Sequence, residues 1–202
     1  MLFRSGEKPS VSENRLIPLE SFGMHTLSIG NLVEENDAVI WRGPMVHQAL
    51  EQLLRDTNWP GGDFMIIDLP PGTGDAQLSL SQLCEFTGAI IVSTPQDVAL
   101  IDAVKAAQMF SKVEIDILGI VENMSFFTCP KCGEETPIFS RHGAEEACKK
   151  LEAPFLGAIP IELQVRVGGD EGKPLMASNL DSPATTAFKN IADNLVKVLE
   201  GE

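Results

Sequence analysis

"GAIIVSTPQDVALIDAVKAAQMFSKVEIDILGIVENM", residues 88–124, decides the fold class. It opens and closes on continuous apolar runs, 88–95 and 115–124, and the stretch between them, 97–111, is helix-like. A short run that is apolar throughout suits a strand buried on both faces, and strand, helix, strand is a βαβ unit. Pro95 stops the first run, and Asp97 is a plausible helix start.

The same alternation extends outward. "FMIID" (64–68) and "PFLGAIP" (154–160) are further apolar runs, and 76–86 and 142–151 are helix-like. Residues 43–56 carry apolar side chains at 45, 46, 49, 50, 53 and 54, a helical stripe with Pro44 at the first helical position. The last helix is expected over 182–200, capped by Ser182 with Pro183 in its first turn. The first 24 residues are polar and broken by Gly and Pro, and 24–33 reads as a short extended segment. The pattern predicts one α/β domain spanning 1–202, a parallel sheet with helices on both faces. In such sheets ligands bind outside the carboxyl ends of the strands. That directs attention to "LPPGTGDAQ", "STPQDVALID", "ENMSFFTCPKCGEE" and "IPIELQVR".

Composition narrows the function. The net charge is −14, from 29 acids against 15 bases. So acidic a chain repels phosphate backbones, which argues against general nucleic-acid binding but leaves room for one nucleotide in a local pocket. No apolar run reaches the ~20 residues of a membrane helix, and "MLFRSGEKPS" has no signal-peptide core. The expectation is a cytoplasmic or equivalent reducing compartment without membrane association. The 4 cysteines do not suggest a disulfide scaffold.

In "FMIIDLPPGTGD", 64–68 is expected to be a buried strand ending at Asp68, where an acid is costly unless it has a partner or a task. Gly72 and Gly74 follow and allow close backbone approach to a ligand. An acid at a strand end beside such a loop is the Walker-B arrangement, in which the carboxylate holds Mg²⁺ through water. An ordinary strand–loop–helix turn with a capping Asp is the competing reading. Asp97 and Asp102 are equally explained by capping and solvation. Asn123, at the end of the third run, has an amide suited to a purine edge, but Asn is also common in turns.

Cys129 and Cys132 form a Cys-Pro-Lys-Cys-Gly hook within a loop spanning 125–139. Two Cys at i and i+3, with Gly after the second, can turn both sulfurs toward one metal. A thioredoxin-like redox pair would open a helix, and "GEETPIF" is no helix start. A zinc knuckle stays an alternative although its partner hook is missing, and so do two casual thiols, although isolated Cys rarely fall at this spacing with Pro and Gly in place. Cys148 is in register with Ala144 and Leu151, so a core position suits it better than a ligand role. Cys84 reads as buried and inert, His142 as a cap or surface residue, and His25 and His47 lack ligand spacing.

Taken together, these segments resemble the Mrp/ApbC-type P-loop ATPases, the iron–sulfur cluster carriers related to MinD. The resemblance rests on "LSIGNLVEENDAVIWRGPMV", "DFMIIDLPPGTGDAQLSLSQ", "GAIIVSTPQDVALIDAVKAAQMF", "ILGIVENMSFFTCPKCGEETPIF", "GAIPIELQVRVGGDEGKPL" and "DSPATTAFKNIA", and covers nearly the whole chain. It implies a homodimer in which two hooks share one 4Fe-4S cluster, with Cys129 and Cys132 as half of the ligand set. It implies Asp68 as the Walker-B acid, Gly72 in a nucleotide-state switch, Asn123 on adenine and Pro160 bordering the base. It further implies ATP- and Mg-governed delivery of the cluster to apo-proteins. The rival function is a non-catalytic zinc-bridged dimer or interaction module with a dead nucleotide fold.

One departure is large. The family's Gly-Lys-Gly-Gly-Val-Gly-Lys-Ser/Thr loop appears nowhere in the 202 residues, nor does any GxxxxGK[ST]. The expected fold is therefore a P-loop NTPase fold lacking its N-terminal P-loop strand and helix. The expectation is that Met1 is an internal Met of a longer protein; a misassigned start and a truncated paralogue are the other two readings.

Overall fold

The computed structural model describes residues 8–32, 43–69, 75–129, 131–139, 143–178 and 180–201. The chain forms two compact units, divided between Glu85 and Phe86.

The unit before the division begins with two hairpins. Strands β1 (Ser10–Ser12) and β2 (Arg15–Ile17) pair antiparallel, as do β3 (Leu19–Ser21) and β4 (Met24–Thr26). Both turns are two-residue loops with positive φ at each position, Glu13 and Asn14 in the first and Phe22 and Gly23 in the second. That is the backbone twist a tight hairpin requires. Helix α1 (Gly43–Leu54) and helix α2 (Asp75–Leu83) follow. The segment after α1 is stitched to β2: Leu16 N–H donates to the Asp56 carbonyl at 2.8 Å, and Asn58 N–H to the Leu16 carbonyl at 2.7 Å. The Arg15 guanidinium adds a bond to the Arg55 carbonyl at 2.7 Å.

The second unit is built on a parallel sheet. Strands β5 (Ala89–Ser93), β6 (Ile117–Glu122) and β9 (Phe155–Ala158) lie in the order β5-β6-β9, with β6 in the middle. Adjacent residues of a strand face opposite sides, and β6 shows the consequence. Ile120 packs with Ile91, with Ala103 and Ala107 of helix α3 (Asp97–Lys112), and with Ala144, Ala147 and Cys148 of helix α4 (Gly143–Leu151). Val121 packs with Leu156 and Ile159 under Phe188, Ile191, Leu195 and Val198 of helix α6 (Pro183–Glu200). Helices thus cover both faces. Each fully buried Ile or Leu here is worth about 1.5–3 kcal/mol relative to exposure. Small residues set the spacing: a Cβ on Gly157 would come within 2.7 Å of Ile191 Cγ1, so α6 lies directly on β9 at that point.

Helix α6 starts where expected. The Ser182 hydroxyl accepts the Thr185 N–H at 3.2 Å, and the Glu162 carboxylate accepts the Ala184 N–H at 3.0 Å. Helix α5 (Leu163–Glu171) was not foreseen, because "LQVRVGGDE" carries two glycines inside the helix and reads as loop. Among the described residues no helix is long and apolar enough to cross a membrane.

The expected strand at 64–68 is not formed. Residues 61–69 are irregular, and Phe64, Met65 and Ile66 are exposed, Ile66 at 89%. A strand has no hydrogen bonds of its own, and among the described residues none pairs with this run. Asp68 therefore ends an exposed irregular segment rather than a buried strand.

Candidate metal centre

The hook hangs from the carboxyl end of β6. The backbone turns at Met124, whose φ is 56°, and the Asn123 side chain accepts the Met124 N–H at 3.0 Å. The chain is held first to the end of β5 and then to the segment leaving β9. Asn123 N–H donates to the Ser93 carbonyl at 2.7 Å, Ser125 N–H to the Ile159 carbonyl at 3.0 Å, and Ile161 N–H to the Phe126 carbonyl at 2.7 Å. Glu122 is buried, and its carboxylate accepts the Ser125 hydroxyl and, at 2.8 Å, the Ala144 N–H at the start of α4. A carboxylate there also meets the positive end of the helix dipole.

Beyond these stitches the chain makes a small hairpin, β7 (Phe127–Thr128) against β8 (Glu135–Thr136). Its tip holds both cysteines. Cys129 N–H donates to the Glu134 carbonyl at 2.9 Å, and Gly133 N–H to the Cys129 carbonyl at 2.8 Å. Gly133 takes φ 74°, a conformation natural to glycine, with open space around it. The Lys131 backbone first, then the backbone and side chain of Cys132, act on the Cys129 thiol to lower its pKa. Donors aimed at sulfur favour the thiolate, so the Cys129 thiol is held below its ordinary pKa. Cys132 is exposed and Cys129 half-buried.

This is chemistry for a soft metal. A thiolate is the ligating form, and this hairpin tip carries one exposed and one half-buried cysteine. Among the described residues no group of three or more His, Cys, Asp or Glu side chains is placed to hold a metal. Within one chain the hook therefore offers two ligands. Cys148 is not a third: it is buried in the α3–α4 core, its thiol bonds to the Pro154 carbonyl, and burial pushes its pKa up. Cys84 is half-buried at the end of α2; burial raises its pKa and the nearby Arg55 charge partly offsets that. His142 lies outside the described residues.

The structure brings Cys129 and Cys132 together, and it places Asn123 and Pro160 beside each other's strands. Asn123 follows the end of β6, and buried Pro160 follows the end of β9, flanked by Ile159 and Ile161, which bond back to Glu122 and Phe126. Asp68 is exposed and belongs to the other unit. Gly72 lies outside the described residues. Asp97 and Asp102 are exposed on α3, where Asp102 pairs with Lys105 at 3.3 Å, an ordinary helix-surface contact. The backbone stitches through Ser125, Phe126 and Ile161 were not visible beforehand. Gly133, the residue at positive φ in the loop between β7 and β8, was the local signal of the hairpin.

A family model described as ParA: NUBPL iron-transfer P-loop NTPase matches residues 1–196. The chain belongs to that family. A Dictyostelium discoideum protein named iron-sulfur cluster transfer protein NUBPL is 51% identical over 99% of this chain and 62% of its own length. The Escherichia coli K12 iron-sulfur cluster carrier protein is 44% identical over 98% of this chain and 54% of its own length. An Arabidopsis thaliana relative, 44% identical over 99% of this chain and 64% of its own length, is named an iron-sulfur protein required for NADH dehydrogenase, mitochondrial. The chain thus spans between about half and two thirds of the length of these curated relatives. Among solved structures, a nucleotide-binding protein from Archaeoglobus fulgidus in complex with ADP matches with TM-score 0.71 and 33% identity, over 87% of this chain and 68% of that one. The cell division ATPase MinD of Pyrococcus furiosus, at TM-score 0.53 and 24% identity over 78% of this chain and 59% of that one, shares the fold. The parallel sheet with flanking helices is that of the family.

Proposed function

We propose that this chain is the cluster-holding part of an iron–sulfur cluster transfer protein. Two copies each present one Cys129–Cys132 hook, and the four thiolates together hold a 4Fe-4S cluster as cargo for apo-proteins. The observation that carries this reading is the hairpin tip that holds Cys129 and Cys132 together, closed by the Cys129 N–H on the Glu134 carbonyl at 2.9 Å and the Gly133 N–H on the Cys129 carbonyl at 2.8 Å. N–H donors to sulfur stabilise thiolates in cluster sites and tune their potential. A lone hook is two ligands short, and a second copy supplies them with the same geometry. The relatives' names support cluster transfer as the activity. Free ligating thiols also call for a reducing compartment, whether cytoplasm or organelle.

Nucleotide enters the proposal through the sheet's carboxyl edge. Asn123 would contact adenine with Pro160 bordering it, Asp68 would hold Mg²⁺ through water, and Gly72 would belong to the switch that follows nucleotide state. The solved ADP complex of the Archaeoglobus relative supports nucleotide binding by this fold. No GxxxxGK[ST] loop to cradle phosphates occurs in these 202 residues.

The test is substitution of the cysteines before anaerobic reconstitution with iron and sulfide. Cys129→Ser or Cys132→Ser should abolish the absorption near about 400 nm, while Cys84→Ser and Cys148→Ser should leave it. A cluster that survives in either of the first two variants would sink the assignment. The second reading, a zinc-bridged dimer, uses the same two thiolates and would stay colourless.

A further inference from the structure

A groove of about 830 Å³ runs along the outer side of the sheet, next to the hook. Phe155, Leu156, Gly157 and Ala158, the whole of β9, line it. Successive side chains of a strand point to opposite faces, so four consecutive residues can share one groove only along the strand's edge. β9 is an edge strand of its sheet among the described residues. Its sequence, Phe-Leu-Gly-Ala, has no charge or proline of the kind that blunts an edge; the Asn194 amide of α6 donates to the carbonyl of fully buried Leu156 at 2.9 Å, so the edge is accessible at Phe155, Gly157 and Ala158.

The far wall is α6, through Pro183, Ala187 and Asn190, and the near end is the base of the cysteine hairpin, through Phe126 and Thr128. The Thr128 hydroxyl oxygen is shielded from solvent and has no hydrogen-bond partner among the described residues. A buried hydroxyl of that kind costs free energy unless something bonds it. Among the described residues, the titratable groups lining the groove are Glu135 at the hairpin and Asp181 before α6, and no Lys, Arg or His lines it. Thr128 immediately precedes Cys129.

We propose that this groove docks an extended, basic segment of a partner protein, which adds a strand to the β9 edge and sets its cations against Glu135 and Asp181. Edge addition takes its affinity from main-chain hydrogen bonds and its selectivity from alternate side chains. The apolar wall of α6 and Phe155 suits small apolar side chains, and the two carboxylates select Lys or Arg over Asp or Glu. That the partner is a cluster recipient rests on the carrier reading. In that case the groove holds the recipient with its chain running up to the hook.

The test uses the metal-free chain, so its outcome is independent of what the cysteines bind. The probes are two fluorescein-labelled, end-capped nonapeptides, one alternating Lys and Val, the other Glu and Val. The Lys–Val peptide should bind, with amide protection confined to residues 155–158 and 126–128. Glu135→Lys with Asp181→Lys should weaken it at least about tenfold and let the Glu–Val peptide bind instead. Asn190→Trp, on the exposed face of α6, should block both. Absence of binding up to about 1 mM, protection elsewhere, or indifference to charge reversal would each overturn the proposal. So would a chain whose self-association, rather than peptide binding, responds to Asn190→Trp, because the groove would then belong to a second copy.

Discussion

The carboxylate of Glu122, buried at the end of β6, accepts the Ala144 N–H at the first turn of α4 at 2.8 Å. The contact ties the strand that launches the cysteine hairpin to a helix 22 residues further on. Glu122→Ala should destabilise the chain by about 1–3 kcal/mol, since it strands a buried N–H and removes the Ser125 partner. Glu122→Gln, which keeps an acceptor, should cost less. Urea unfolding of the two variants checks the order, and equal stability with the parent would remove Glu122 from the account.

Close packing between β6 and β9 makes a second expectation. A Cβ on Gly119 would sit 2.5 Å from Leu156 Cγ, and the backbone there has φ 157°. Gly119→Ala should therefore cost about 1–3 kcal/mol through overpacking. Gly61→Ala meets open space and should stay within about 0.5 kcal/mol of the parent. Thermal melts of both variants decide it.

The two kinds of cysteine should react differently with pH. N–H donors lower the Cys129 pKa, so its thiolate persists below the ordinary thiol range near about 8.5 and is lost only as pH falls through the lowered value. Cys148 is shifted the other way by burial and by the Glu145 charge. Iodoacetamide labelling followed by peptide mapping should show Cys129 half-maximal at a lower pH than free cysteine, with Cys148 slowest throughout. Equal pH profiles for Cys129 and free cysteine would contradict the hairpin's effect on its sulfur.

These 202 residues should not hydrolyse ATP appreciably, because no Gly-rich lysine loop is present to hold the β- and γ-phosphates. Steady-state phosphate release with Mg²⁺ and ATP tests this. A rate comparable to that of relatives carrying the loop would refute it.

Much of the second unit was legible because its signals are local. The apolar runs at 88–95, 115–124 and 154–160 became β5, β6 and β9, and the Ser182–Pro183 start of α6 needs only a cap and a first turn. "FMIID" has the same local signal and failed, because a strand exists only through neighbours and this one has none among the described residues. The two early hairpins were missed although Asn14 and Gly23 mark their turns; strands of three residues carry too little alternation to be seen. At the site, the spacing of Cys129 and Cys132 was enough to suggest a metal. The bonds linking Ser125 to Ile159 and Phe126 to Ile161 join segments over thirty residues apart, and no local pattern encodes such a pairing.

The central claim is that one cluster is shared by two hooks. Anaerobic reconstitution, followed by iron and sulfide analysis with a light-scattering mass on the same sample, tests it most directly. The account predicts a brown dimer with four irons and four sulfides per two chains, about 2 irons per chain. A monomer carrying a full cluster, or a colourless zinc-bound dimer, would contradict it.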